Sequence, residues 1–154
     1  DHLGSTITAL YAHFTGRLRM DGAATMNMNA LPTAIVLFAH GSRDPLWRAP
    51  IDAVAAEITR HAPDTAVRCA FLELMAPSLQ EVVDALVQAG HRCVRVVPMF
   101  LGIGRHARGD LPVLIEQLRQ SHPDLVLDLL PAVGEMPEVT RCLAQAALQT
   151  GPST

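Results

Sequence analysis

The chain has 154 residues, 49% of them apolar, and a formal net charge of −3, enough to bury one sizeable core and not two. That charge gives no reason to expect a nucleic-acid partner, and no apolar run approaches the roughly 18 residues of a membrane span. Arg supplies all 12 of the Lys and Arg positions; its planar fork suits carboxylates, although genome composition explains the bias more plainly.

Cys69, Cys93 and Cys142 are far apart and form no Cys-x-x-Cys pair, which argues against a disulfide framework and a structural zinc site. Two fall in strand-like runs and one on an apolar helical stripe, so all three read as small packing residues. With no secretory signal evident, a reducing cytoplasm is the expected compartment.

In chain order, residues 1–31 read as an N-terminal extension or expression remnant. They mix small polar residues with a short patch at Leu10-Tyr11-Ala12-His13-Phe14, and His2 and His13 carry no functional weight. Residues 32–150 form the expected domain.

Apolar runs at Thr33–Ala39, Ala66–Leu72, Cys93–Pro98 and Leu125–Leu130 predict strands, and each is followed by helical spacing. The stripes are Ile51, Val54, Ala55 and Ile58; Leu79, Val82, Val83 and Leu86; Leu111, Leu114, Ile115 and Leu118; and Val139, Cys142, Leu143 and Ala146, each i, i+3, i+4, i+7.

Punctuation agrees. Ser78 and Glu81 predict a capping box, Gly90 a helix stop, Asp110 a cap just before an early Pro112, and Pro50 and Pro137 first-turn positions. Alternation of strand and helix predicts an open α/β fold: a parallel four-stranded sheet with helices on both faces.

Ligands of such sheets bind beyond the carboxyl ends of the strands. His40 follows the first predicted strand, Glu73 the second and His106 the third, 33 residues apart in each case. Two imidazoles and a carboxylate at one sheet edge are a metal-ligand or proton-transfer set. Each residue also has a plainer reading: a strand-end His can cap a turn, a lone Glu can be a solvated loop residue, and Gly102-Ile103-Gly104 can be an ordinary turn. Their coincidence at one edge favours the functional reading. His61, His91 and His122 read as surface residues near helix ends and turns.

Ala39-His40-Gly41-Ser42-Arg43-Asp44-Pro45, Phe71-Leu72-Glu73 with Pro77-Ser78, Val97-Pro98-Met99-Phe100-Leu101, and Gly104-Arg105-His106 with Asp110 and Pro112 together resemble the CbiX-type sirohydrochlorin cobaltochelatases. These are class II chelatases, grouped with the siroheme ferrochelatases. The similarity runs from about Thr33 to Ala147 in the same order, far more than a single motif supplies.

The resemblance implies insertion of Co²⁺ or Fe²⁺ into sirohydrochlorin, a tetrapyrrole with many carboxylates, in cobalamin or siroheme biosynthesis. His40 and His106 then match the family's metal-site histidines and Glu73 its acidic companion. The divalent ion is a substrate, and no permanently bound cofactor is expected. Arg43, Arg48, Arg105 and Arg108 flank the histidine motifs and are placed to hold substrate carboxylates, although ordinary salt bridging explains any one of them. Ser42 is a weaker substrate contact that also serves its own turn. Family members exist with two similar lobes facing one cleft, and this chain supplies one lobe, so a homodimer is expected.

Two other classes remain open. A histidine phosphatase also places His-Gly after its first strand, but wants Arg before the His, where this chain has Ala39. A non-catalytic tetrapyrrole or metal carrier needs the Arg residues and fewer imidazoles. Fold does not separate these; the site does.

Overall fold

The computed structural model describes residues 32–149. The expected extension at residues 1–31 lies outside the described residues.

Four strands, β1 (Thr33–Ala39), β2 (Val67–Phe71), β3 (Cys93–Pro98) and β4 (Val126–Leu129), form one sheet in the order β2-β1-β3-β4, parallel throughout. The helices are α1 (Ala49–His61), α2 (Leu79–Gln88), α3 (Arg105–Ser121) and α4 (Pro137–Leu148), with single 3₁₀ turns at Pro45–Arg48 and Val133–Glu135. β1, the first strand in sequence, lies at the centre. The chain order reverses between β1 and β3, the usual location of a binding crevice in such sheets.

The core lies on one face. Ala34, Val36 and Phe38 of β1, Ala70 of β2, and Val94 and Val96 of β3 meet Leu79, Val82, Val83 and Leu86 of α2 and Leu111, Ile115 and Leu118 of α3. These side chains are almost wholly buried, so each large aliphatic one contributes about 2 kcal/mol of transfer free energy.

The opposite face is thinner. α1 packs over β2 and β1 and buries no residue fully. α4 packs against its own 3₁₀ turn, and its predicted stripe is uncovered: Cys142, Leu143 and Ala146 are all exposed.

Local signals explain most boundaries. Ser78 Oγ accepts from Glu81 N–H while the Glu81 carboxylate accepts from Ser78 N–H at 2.7 Å, the predicted capping box. After α2, Gly90 takes φ +96°, and His91 N–H returns to Leu86 O at 3.0 Å, a left-handed helix stop. Pro50 and Pro137 occupy first-turn positions.

One boundary differs from expectation. α3 starts at Arg105, with Gly104 as its N-cap, so Asp110 is not a cap and Pro112 lies inside the helix. Burial of Ala107 one turn earlier extends the helix past the local signal, despite the weak helix formers Gly109 and Asp110. Interior proline forfeits one backbone bond, a cost of roughly 3 kcal/mol, offset here by the buried Leu111, Ile115 and Leu118.

His122 lies at a helix end, as expected, but is partly buried there. It caps α3, and its Nε2 lies 2.6 Å from Asp84 Oδ1, tying the end of α3 to α2. Among the described residues, no helix is long and apolar enough to cross a membrane.

Candidate functional site

The carboxyl edge of the sheet collects the predicted site residues. His40 is the first residue after β1, and Glu73 lies two residues beyond β2. His106 stands in the first turn of α3, past the loop that follows β3. Backbone pairing continues beyond the strands and fixes two of these loops together: Leu72 N–H donates to Ala39 O at 2.8 Å and Glu73 N–H to His40 O at 3.0 Å.

Gly41 makes that approach possible. It takes φ +92°, and a Cβ on it would run into the carbonyl oxygen of Glu73. Only glycine satisfies both the left-handed backbone and the contact. Leu74, next after Glu73, is the one described non-glycine residue with positive φ, at 64°. A turn this tight brings the backbone of Glu73 against His40-Gly41.

The imidazole of His40 is partly buried and rests on Phe100, with ring centroids 4.3 Å apart and planes tilted by 41°. Phe100 is itself only 2% exposed and also meets Phe38 edge-on at 6.0 Å. Apolar packing therefore holds His40 while leaving its nitrogens unengaged by other described side chains. Glu73 and His106 are exposed. Among the described residues, no three His, Cys, Asp or Glu side chains are grouped closely enough to hold a metal ion.

The four predicted arginines divide into two kinds. Arg48 donates to both carboxylate oxygens of Asp52, at 2.9 and 3.0 Å, and lies 4.8 Å from the centroid of the Phe71 ring. The hydrogen bond from Arg48 holds the Asp52 carboxyl below its usual range and raises the guanidinium in turn. Arg108 Nη2 donates to Ile103 O at 3.1 Å and braces the loop after β3. Arg43 and Arg105, by contrast, are exposed and make no hydrogen bond or ion pair among the described residues. Ser42 Oγ accepts from Asp44 N–H at 3.1 Å, and Asp44 in turn accepts from Leu46 N–H at 2.9 Å, so the hydroxyl serves its own turn.

The stretch Met99–Ile103 is not one exposed patch. Phe100 turns into the core and Ile103 packs against it, while Leu101 remains 68% exposed. Leu46, Trp47, Leu74 and Leu101 are the large exposed apolar side chains of the loops that follow β1, β2 and β3. Beneath them, Gly134 N–H donates to Phe100 O at 2.9 Å, and the backbone of Leu101 leaves no room for a Cβ on Gly134. Sequence reasoning missed Phe100 as the support of His40, and also Gly134. Phe100 carried a signal, an aromatic two residues beyond a buried strand; Gly134 carried none.

A shallow depression lined by Val87, His91, Arg92, His122 and Asp124 lies at the other edge of the sheet, where β3 and β4 begin. It is remote from these residues.

A sequence profile of the CbiX family matches residues 34–150. The chain belongs to the CbiX family. Two curated relatives of this CbiX chain are sirohydrochlorin cobaltochelatases from archaea. The Methanopyrus kandleri protein is 34% identical over 82 residues, 53% of this chain and 57% of the relative. The Methanothermobacter thermautotrophicus protein is 32% identical over 90 residues, 58% and 62%. The aligned stretch thus spans about three fifths of each relative's length.

Among solved structures, a CbiX protein of cobalamin biosynthesis from Marinobacter aquaeolei superposes with TM-score 0.66 at 31% identity, over 75% of this chain and 94% of that one. The sirohydrochlorin chelatase SirB from Bacillus subtilis, in complex with cobalt, gives TM-score 0.64 at 25% identity. That match covers 76% of this chain and 50% of SirB. SirB is also known with Fe³⁺.

Proposed function

We propose that the protein is a chelatase that inserts a divalent metal, Co²⁺ or Fe²⁺, into sirohydrochlorin. The observation that carries this reading is the convergence of His40, Glu73 and His106 at one sheet edge in a chain whose family match covers that whole edge. The cobalt- and iron-bound forms of SirB support an ion as substrate.

Metalation requires an ion to lose water and two pyrrole nitrogens to lose protons. Neutral imidazoles at His40 and His106 bind a first-row divalent ion and accept protons, while Glu73 offsets the ion's charge. Phe100 fixes the plane of the His40 ring, so less ordering remains when the ion arrives. Holding must stay weak, because ligands that bound the ion tightly would compete with the macrocycle. Arg43 and Arg105, with their guanidinium groups unengaged, are the stronger candidates for gripping substrate carboxylates; Arg48 and Arg108 are already occupied and serve by shaping the loops. Leu46, Trp47, Leu74 and Leu101 offer apolar surface to the faces of a flat macrocycle.

The working unit is a cytoplasmic homodimer whose second copy covers the cleft. The exposed apolar rim supports it, since such surface at a site mouth is normally covered by ligand or partner. The product serves cobalamin or siroheme formation according to the metal inserted.

The test is an anaerobic absorption assay with sirohydrochlorin and either ion, measured above the uncatalysed rate. Acceleration that disappears in His40→Ala and His106→Ala, with circular dichroism unchanged, supports the reading. Tight binding of the tetrapyrrole without acceleration by either metal would make the protein a carrier instead.

A further inference from the structure

Of the three side chains proposed to meet the ion, two stand on fixed supports. The loops of His40 and Glu73 are joined by the 3.0 Å bond from Glu73 N–H to His40 O, and the His40 ring rests on Phe100. His106 is the third, and the segment that carries it is weakly secured. As they stand, the three are not grouped closely enough to hold one ion.

Several features of residues 102–112 point the same way. Gly102 and Gly104 do not adopt the left-handed backbone, and a Cβ on either would meet nothing within 4 Å. Neither space nor conformation demands glycine there, in contrast to Gly41 and Gly134. α3 begins on Gly104 without a side-chain cap, so its first N–H groups lack the acceptor that a Ser or Asp would supply. Between residues 104 and 110 only Ala107 is buried, and the other apolar hold on the core is the partly buried Ile103. Pro112 then removes the N–H that would bond Arg108 O, just where the buried run of Leu111, Ile115 and Leu118 begins.

The segment nevertheless has an internal brace. Arg108 Nη2 donates to Ile103 O at 3.1 Å, linking loop and helix within the same stretch, so the two move together. Both ends are anchored. Phe100 is buried and accepts from Gly134 N–H at 2.9 Å, with the Leu101 backbone against Gly134, and Leu111 lies in the core. A braced piece between firm anchors, with glycine at one joint and proline at the other, is a hinged arm and not a frayed end.

We propose that residues 103–111 are an arm that carries His106 toward His40 when the ion arrives, with Gly102 and Pro112 as its positioning residues. The described form is the open one. A tilt of ~25° about Pro112, with ~9 Å of helix axis between it and His106, displaces His106 by ~4 Å. The ion gains a ligand only in the closed form and so favours it; passage of the metal into the macrocycle releases the arm, which suits a site that must hold its ion weakly. The proposal rests on the chelatase reading of His40 and His106.

Hydrogen–deuterium exchange on the full chain, with and without Co²⁺, tests it. In the free protein the amides of residues 108–111 are expected to exchange much faster than those of residues 115–121. Co²⁺ is expected to slow the first group in the wild type and not in His106→Ala. Pro112→Ala supplies the missing N–H, and Gly102→Ala narrows the freedom of the loop. Each is expected to hold or raise the melting midpoint while lowering the metalation rate several-fold, a combination that loss of folded protein does not produce.

The exchange measurements do not depend on how either variant folds. Amides of residues 108–111 that are as protected as those of residues 115–121 in the free protein, or that ignore Co²⁺ while metalation proceeds, would overturn the arm and leave the chelatase reading standing. Wild-type rates in both stiffened variants would overturn it too. Absence of Co²⁺ binding in calorimetry would remove the chelatase reading and the arm with it.

Discussion

Gly41→Ala perturbs the site at its tightest point, and its cost follows from two observations. The residue sits at φ +92°, where a non-glycine residue costs roughly 1–2 kcal/mol. The new methyl group would also occupy the place of the Glu73 carbonyl oxygen, and relieving such an overlap by backbone shifts typically costs about 1–3 kcal/mol. The expected destabilisation is therefore about 2–5 kcal/mol, and at ~4 °C per kcal/mol for a domain of this size the melting midpoint falls by ~8–20 °C. Because the shift separates His40-Gly41 from Glu73, activity should suffer beyond the loss of folded protein; a displacement of ~1 Å costs on the order of 100-fold. Thermal melts paired with metalation rates at a temperature where both proteins are folded provide the assay. Ser42→Ala is the neighbouring control, since it removes only the acceptor for Asp44 N–H. A Gly41→Ala protein that melts within ~2 °C of the wild type and turns over within twofold of it would refute the reasoning about this contact.

Phe100→Leu keeps the core apolar at a cost of about 1 kcal/mol but removes the ring on which His40 rests; kcat should fall several-fold with a small change in melting, read from steady-state metalation. Glu73→Gln keeps the shape of the side chain without its charge, so turnover should fall less than in His40→Ala, and a rate equal to wild type would return Glu73 to the status of a loop residue. Arg48 holds the Asp52 carboxyl below its ordinary value of 3.8, so this pair stabilises the fold above that pH and loses its contribution as pH falls through the depressed folded value. Both side chains are partly solvated, which limits the effect to below ~1 kcal/mol; Asp52→Asn should lower the melting midpoint by a few degrees at pH 7, with the gap closing in melts near pH 3.

Strand positions were legible because β1 beyond Thr33, and β3 apart from Arg95, are apolar on both sides of the ribbon; the predicted limits Thr33–Ala39 and Cys93–Pro98 coincide with the strands. Equal spacing of His40, Glu73 and His106 announced one sheet edge, and they do share it. The start of α3 was not legible, since Asp110 and Pro112 form a good local helix-start signal that the burial of Ala107 overrides. The stripe of α4 looks the same in sequence as that of α2, yet Leu79, Val82, Val83 and Leu86 are buried while Cys142, Leu143 and Ala146 are exposed; periodicity gives a helix its apolar side but not what packs on it. Pairwise commitments such as Arg48 with Asp52 also escape a reading of motifs: the i, i+4 spacing permits the bond, and only the fold shows it made.

The place of β1 in the sheet bears on how the chain is made. A ribosome delivers β1 first among the four strands, yet its final neighbours are β2 on one side and β3 on the other. Until Pro98 has emerged, the run Ala34–Ala39 has at least one bare edge, and until Phe71 it has two. Such a segment, apolar, uncharged and free of proline, is the kind that pairs with copies of itself when left waiting. Slow synthesis across residues 72–98, or a shortage of holding chaperones, should therefore lower the soluble yield more than changes made after β3 is out.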